Sequence, residues 1–171
     1  MSSTSTDTRI ITIESKDKVQ FQVSREVLRR IGTFEDMYKV MNYDEDLSKE
    51  IEIFPAQNVE GKILGMIVKF LEHHINDPEP SEEDKKKDKR AIPLPEWDRD
   101  FVPKDQYDLA ALYEASNYLN IQKLMDVCAQ YIAGLIQGRS TTEIGNIFGI
   151  ECDVTPAEQE QIRKENAWCE D

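Results

Sequence analysis

The sequence has little of what a catalytic or metal site needs. Only two of its 171 residues are histidine, His73 and His74, and they are adjacent at the end of a predicted helix, where a solvated pair is expected. The three cysteines, Cys128, Cys152 and Cys169, are odd in number and lack the spacing of zinc ligands. We therefore expect reduced thiols, with neither a disulfide framework nor a metal site.

Glycine patterns that bind phosphate are also missing. The seven glycines form neither a GxGxxG nor a P-loop motif, and no GxSxG motif presents a nucleophilic serine. Catalysis requires a constellation of such groups rather than one isolated side chain. The sequence therefore predicts a protein that is not an enzyme and that has no cofactor.

Long apolar runs and an excess of positive charge are absent as well. No apolar run approaches the about 18–20 residues of a membrane-spanning helix, and residues 1–8 lack the pattern of a secretory signal. The 34 acidic and 21 basic residues give a net charge of -13, which repels phosphate backbones and anionic lipids. We expect no nucleic-acid or membrane partner, a cytoplasmic and nuclear location, and protein partners with basic faces.

The composition that is present suits one folded domain with an appendage. Hydrophobic residues make up 39% of the chain and charged residues 32%, enough for a core and a hydrated surface. Residues 1–8 are expected to be disordered. Residues 9–75 and 96–138 form two parts of one domain, separated by a mobile charged loop over 76–95 that cannot offset its ordering entropy. Residues 139–171 follow as C-terminal helices.

Apolar residues alternate with period two near the start of the chain. Residues 10–13 and 19–23 predict a β-hairpin with a polar turn over 15–18. Residues 51–53 alternate in the same way and predict a third strand that ends at Pro55, where the ladder donor is missing. The sequence therefore predicts a small three-stranded sheet.

Capping residues mark the helices that should cover this sheet. Ser24 is predicted to cap a short helix, Asn58 an amphipathic helix, and Asp105 a third helix. A longer helix follows Asn120 and should end before Gly138. The first part is thus mixed α/β and the second part purely helical.

Two further helix starts carry a capping box. Ser140 with Glu143, and Thr155 with Glu158, pair a hydroxyl with a carboxylate three residues later, and Pro156 suits the first helical turn. Apolar residues in these helices are too sparse for a second core. Short helices depend on tertiary packing, so the pattern predicts a helical surface that a partner completes.

Four segments together resemble one known family. They are NYLNI at residues 117–121, IRKENAWCE at 162–170, the His73-His74 pair, and WDRDF at 97–101. The chain is similar over nearly its whole length to the S-phase-kinase-associated adaptors, which join F-box proteins to the cullin scaffold of SCF ubiquitin ligases. The resemblance implies a BTB/POZ-like α/β domain, followed by C-terminal helices that interlock with an F-box.

The resemblance also implies two sets of binding residues. Asn117 and Tyr118 would contact the cullin, although Tyr118 could instead pack inside the protein. The F-box-binding set would be Met125, Ile132, Ile136, Ile144, Ile147, Phe148, Ile150, Ile162, Trp168 and Cys169. Ile132 and Ile136 could equally be core residues, because periodicity does not separate the two roles. The implied function is a non-catalytic adaptor that links F-box substrate receptors to a cullin.

Departures from the family pattern lie mostly in the first half. The hairpin turn at residues 16–18 lacks the usual glycine, residues 24–42 diverge, and Gly145 replaces a usually basic residue. One alternative function is therefore a structural protein that self-assembles through its BTB-like sheet. Another is an adaptor of the elongin-C type, but that group lacks the two capped C-terminal helices, so residues 140–171 favour the F-box reading.

Overall fold

A three-stranded sheet begins the computed structural model, which describes residues 9–41, 53–78, 93–150 and 154–166. Strands β1 (Ile10–Ser15) and β2 (Gln20–Ser24) form the predicted antiparallel hairpin. Strand β3 (Ile53–Ala56) pairs parallel to β1, which gives the order β2-β1-β3. The period-two pattern of β1 turns one of its faces toward the core, as expected for a sheet that is covered on one side.

The predicted end of the third strand at Pro55 is wrong. Strand β3 continues through Pro55 to Ala56, and residues 51 and 52 lie outside the described residues. Within the described sheet β3 is an edge strand, where proline is tolerated because some backbone N–H groups have no neighbouring strand. Phe54 and Ala56 are buried, whereas Ile53 and Pro55 are exposed.

The chain divides into two units, Met1–Ile132 and Ala133–Asp171. The first unit contains, in its described part, helices α1 (Arg25–Leu28), α2 (Gly32–Val40), α3 (Gly61–His73), α4 (Glu96–Phe101), α5 (Gln106–Tyr118) and most of α6 (Gln122–Ile136). One hydrophobic core draws on all three strands and on α1, α2, α3, α5 and α6. Its fully enclosed members include Ile13, Leu28, Ile31, Phe34, Ala56, Ile67, Phe70, Leu112, Leu119 and Leu124.

Two of the predicted helix caps in this unit are confirmed and one is wrong. Ser24 accepts a hydrogen bond from the Val27 N–H, and Asp105 accepts two at the start of α5. Asn58 does not cap α3. Its N-cap position is Glu60, whose side chain makes no capping bond, and Asp17 of the hairpin turn accepts the Gly61 N–H at 2.7 Å instead.

The second unit contains helices α7 (Thr141–Phe148) and α8 (Pro156–Glu165) among its described residues. Both predicted capping boxes are confirmed: the Ser140 and Thr155 hydroxyls accept from the backbone N–H groups of Glu143 and Glu158, whose carboxylates bond back. Helix α7 ends at Gly149 in the left-handed conformation, with φ 63°.

The two histidines at the end of α3 differ in exposure: His73 is exposed and His74 is half-buried. His74 keeps only 12% of its side-chain surface, and its Nδ1 and Nε2 lie 2.7 Å from Asp77 and 2.8 Å from Asp98. His73 stacks on Trp97 with 3.6 Å between ring centroids. The expectation of solvent exposure is confirmed for His73 and is wrong for His74, because α4 packs against the end of α3. Asp77 lies in the segment 76–95 that the sequence predicts to be a mobile loop, and its carboxylate contacts His74 of the folded part.

Candidate protein-binding surfaces

Asn117 and Tyr118 are exposed at the C-terminal end of α5. Tyr118 keeps 42% of its surface accessible, so the alternative of a place in the core is wrong. The next residue, Leu119, is fully buried, and its carbonyl oxygen accepts hydrogen bonds from the backbone N–H and the hydroxyl of Thr33 at 3.3 and 3.2 Å. This anchor holds the end of α5 in place while the two preceding side chains face solvent.

A cavity of about 340 Å³ lies beside Tyr118. Its buried lining is apolar, with Val59, Ile63 and Ala115. Exposed and half-buried residues complete the wall; they are Lys16, Asn58, Glu60, Ala111 and Glu114. Sequence reasoning missed these residues, which come from three separate segments of the chain. The one available signal was the unusual hairpin turn that contains Lys16.

Hydrogen bonds fix the hairpin turn against the start of α3. The Lys16 N–H donates to the Val59 carbonyl at 2.8 Å. The Asp17 carboxylate accepts from the Ser15 hydroxyl and from the Gly61 N–H, both at 2.7 Å. These bonds, the Ser15 bond first, hold the pKa of Asp17 below its ordinary value. The turn is therefore a rigid border of the cavity.

One lysine of this turn adopts a backbone conformation that glycine usually supplies. Lys18 has φ 66°, in the left-handed region that normally favours glycine. Its ammonium lies 2.8 Å from the Glu14 carboxylate. The hairpin therefore forms with a lysine at this position of its turn.

An ion pair connects α3 to α5. The Lys62 ammonium lies 2.6 and 2.7 Å from the two carboxylate oxygens of Asp108. This bond raises the pKa of Lys62, and the nearby charges of Asp105 and Glu60 raise it further. Three carboxylates, those of Asp108, Asp105 and Glu60, therefore interact with this one ammonium.

Helix α6 contributes the first members of the proposed F-box-binding set. Its buried residues are Leu124, Val127 and Cys128. In the first unit, Met125 and Ile132 are both half-buried. Part of the Ile132 side chain packs against the core, and the rest is accessible. In the second unit Ile136 is 40% exposed, which excludes a place in the core of the described residues.

The second unit presents apolar side chains without enclosing them. Among residues 133–150 and 154–166, none whose exposure the structure describes is fully buried. Ile144, Ile147 and Phe148 are half-buried, whereas Ile150 and Ile162 are 64% and 50% exposed. Trp168 and Cys169 lie outside the described residues. The described helices of this unit are therefore well capped and poorly covered.

The described part of the chain contains one free thiol, the Cys128 side chain. Cys128 is enclosed in the core, and burial raises the pKa of its thiol to about 12. Within residues 9–41, 53–78, 93–150 and 154–166 no three His, Cys, Asp or Glu side chains are grouped as metal ligands. None of the helices described there has the length and apolar character needed to cross a membrane.

Comparison with known families gives two matches along the chain. Residues 9–76 match the model described as "Skp1 family, tetramerisation domain", and residues 122–169 match "Skp1 family, dimerisation domain". The first match covers the described sheet, and the second covers α6 and the described C-terminal helices.

Similar proteins extend over nearly the whole chain. A "Skp1-related protein" of Caenorhabditis elegans is 40% identical over 163 residues, 95% of this chain and 93% of the relative. The "SCF ubiquitin ligase complex protein SKP1a" of Dictyostelium discoideum is 39% identical over 95% of this chain and 96% of its own length. The "E3 ubiquitin ligase complex SCF subunit sconC" of Talaromyces marneffei is 37% identical, with coverage of 94% and 97%.

Proposed function

The chain belongs to the Skp1 family, and we propose that it is a non-catalytic adaptor of an SCF-type ubiquitin ligase. In this role it holds an F-box substrate receptor on one surface and a cullin on another. The relatives named as SCF subunits support membership of such a complex. The exposed end of α5 and the poorly covered helices of the second unit support the two binding surfaces.

The observation that carries this proposal is the state of the second unit. Two helices with complete capping boxes are encoded in a segment where no described side chain is fully buried. Capping specifies where a helix begins, but short helices are stable only when an apolar face is covered. We infer that an F-box covers this face, with Ile144, Ile147, Phe148 and Ile150 of the α7 region in contact. Ile162, Trp168 and Cys169 would complete the contact.

The cullin contact is proposed at Asn117 and Tyr118. A tyrosine can bury its ring in an interface while its hydroxyl keeps a hydrogen bond, which is the profile of a binding hot spot. Tyr118 already has 42% of its surface exposed next to a fixed helix end, so little ordering is needed on binding. The adaptor then acts through effective concentration, because it brings a receptor-bound substrate near the ubiquitin-charged enzyme.

Self-association is the competing function, and the outer face of the sheet favours it. Ile10 and Ile53 are 68% and 46% exposed on β1 and β3. If this face is a dimer interface, light scattering will show a mass that rises with concentration and falls in an Ile10→Thr, Ile53→Thr variant. A concentration-independent monomer will exclude self-assembly as the function.

Two variants test the adaptor proposal. Asn117→Lys with Tyr118→Ala should weaken cullin binding by at least about 2 kcal/mol, roughly 30-fold, and leave F-box affinity within about threefold. Truncation after Asp153 should abolish F-box binding and leave cullin binding within the same limit. Both affinities are measured by calorimetry, together with the melting temperature. Loss of both partners with a lower melting temperature in the first variant would show that this pair is structural.

A further inference from the structure

The cavity beside Tyr118 has the form of a socket between α3 and α5. Its apolar base consists of Val59, Ile63 and Ala115. Ala111, one turn before Ala115 on α5, forms part of the wall. Tyr118 lines the same cavity, so the residue proposed to contact the cullin and the cavity are continuous. At about 340 Å³ it has room for a large apolar side chain with its adjoining backbone.

The cavity wall is held by contacts that do not depend on a partner. The bond from the Lys16 N–H to Val59, at 2.8 Å, and the bond from the Gly61 N–H to Asp17, at 2.7 Å, fix the turn. The pair between Lys62 and Asp108 joins α3 to α5. Pre-formed sites bind more tightly because less conformational freedom is lost on association.

Charged residues at the rim of the cavity indicate which charge a bound side chain should have next to it. Glu60 and Glu114 reach the rim, opposed by the lysine of the turn, and Glu60 also interacts with the ammonium of Lys62. Two carboxylates and one ammonium among the described lining residues give the rim a negative net charge. A basic side chain next to the entering residue would therefore be attracted.

We propose that this cavity receives one apolar side chain of the cullin, flanked by a basic side chain that pairs with Glu114. Lys16 restricts the orientation, because it is the one cation among the described residues that line the cavity and repels a basic group on its own side. This inference rests on the proposed function, since the occupant is the cullin that contacts Tyr118.

Neighbouring alanines of α5 allow a matched test of the socket. Ala111 lines the cavity, whereas Ala110 is exposed on the same helix and does not. Ala111→Leu fills the socket and should lower cullin affinity at least about tenfold, while Ala110→Leu should change it less than about threefold. F-box affinity and melting temperature should stay unchanged in both. The measurement is calorimetry with a purified cullin that the wild-type chain binds.

Charge reversal provides a second test that does not depend on packing. Glu114→Lys should weaken cullin binding at least about fivefold at low salt, and the loss should shrink at high salt because screening removes the repulsion. Glu72→Lys changes the net charge equally from an exposed position near the end of α3, and its effect should be below about twofold.

The outcomes separate the two proposals. If the wild-type chain binds no cullin, the proposed function fails. If it binds and Ala111→Leu binds equally well, the socket is wrong even though the adaptor role stands. If Ala111→Leu lowers the melting temperature, the Glu114→Lys variant decides. The proposal is overturned if Glu114→Lys binds the cullin more tightly than the wild type does. It is also overturned if Glu114→Lys changes cullin affinity no more than Glu72→Lys does.

Discussion

Arg25 shows how one buried charge contributes to the first unit. Its side chain is 1% exposed, its Cζ lies 3.6 Å from the ring centroid of Tyr38, and its Nη1 lies 3.7 Å from the Glu35 carboxylate. A planar guanidinium can stack on an aromatic ring and face a carboxylate at the same time, which an ammonium does less well. Within the described residues 24–41 of the divergent segment, Arg25 therefore contacts both a carboxylate and an aromatic ring.

Arg25→Ala should lower the free energy of unfolding by about 3 kcal/mol, because it leaves the partly buried Glu35 without its closest cation. The matched control is Arg29→Ala. Arg29 lies 4.0 Å from the same carboxylate but is 53% exposed, so its loss should cost less than about 1 kcal/mol. Urea unfolding measures both, and equal losses would contradict a role for burial.

Asp17 should give the protein a measurable acid sensitivity. Its folded-state pKa is lowered by the Ser15 hydroxyl and the Gly61 N–H, so its contribution is fully present above the unfolded-state pKa, about 4. That contribution is lost as the pH falls through the lower folded-state pKa. We expect Asp17→Ala to melt at a lower temperature than the wild type at neutral pH and at nearly the same temperature in strong acid. Asp36→Ala, on the exposed face of α2, should show no such pH-dependent difference.

At the scale of helices and strands, the sequence predicted what is determined locally. The boxes of Ser140 with Glu143 and Thr155 with Glu158 join residues three apart, so spacing alone was sufficient. The cap of α3 comes from Asp17, 44 positions before Gly61, and no local pattern contains that information. The end of the third strand failed for a related reason, because only the strand order shows that Pro55 lies at an edge.

Thr155→Ala should weaken F-box binding about fivefold. The variant loses the N-cap of α8, so part of the binding free energy is used to order this helix. The Thr155 hydroxyl and N–H also lower the pKa of Glu158, so acid should weaken binding by the wild type more than by the variant. Calorimetry at two pH values tests this expectation. Thr142→Ala, inside the first turn of α7, is the control, and an equal loss there would mean that capping is not the cause.

For the molecule as a whole, family resemblance and physical pattern predicted different parts of the site. The poor coverage of the second unit followed from its sparse apolar residues, whereas the roles of Asn117 and Tyr118 came from the resemblance and stay predictions. The cavity next to Tyr118 was not predictable from periodicity. It is assembled from the hairpin turn, the loop before α3, and α5, which are far apart in sequence.

The two proposed surfaces belong to largely different units of the chain, which leads to a prediction about their coupling. Asn117 and Tyr118 lie in Met1–Ile132, and helices α7 and α8 lie in Ala133–Asp171. We expect saturation with an F-box protein to change cullin affinity by less than about threefold, and linkage requires the same factor in the reverse titration. Calorimetry in both orders measures it. A factor of about ten or more in both directions, equivalent to about 1.4 kcal/mol of coupling, would show that one partner alters the surface that binds the other.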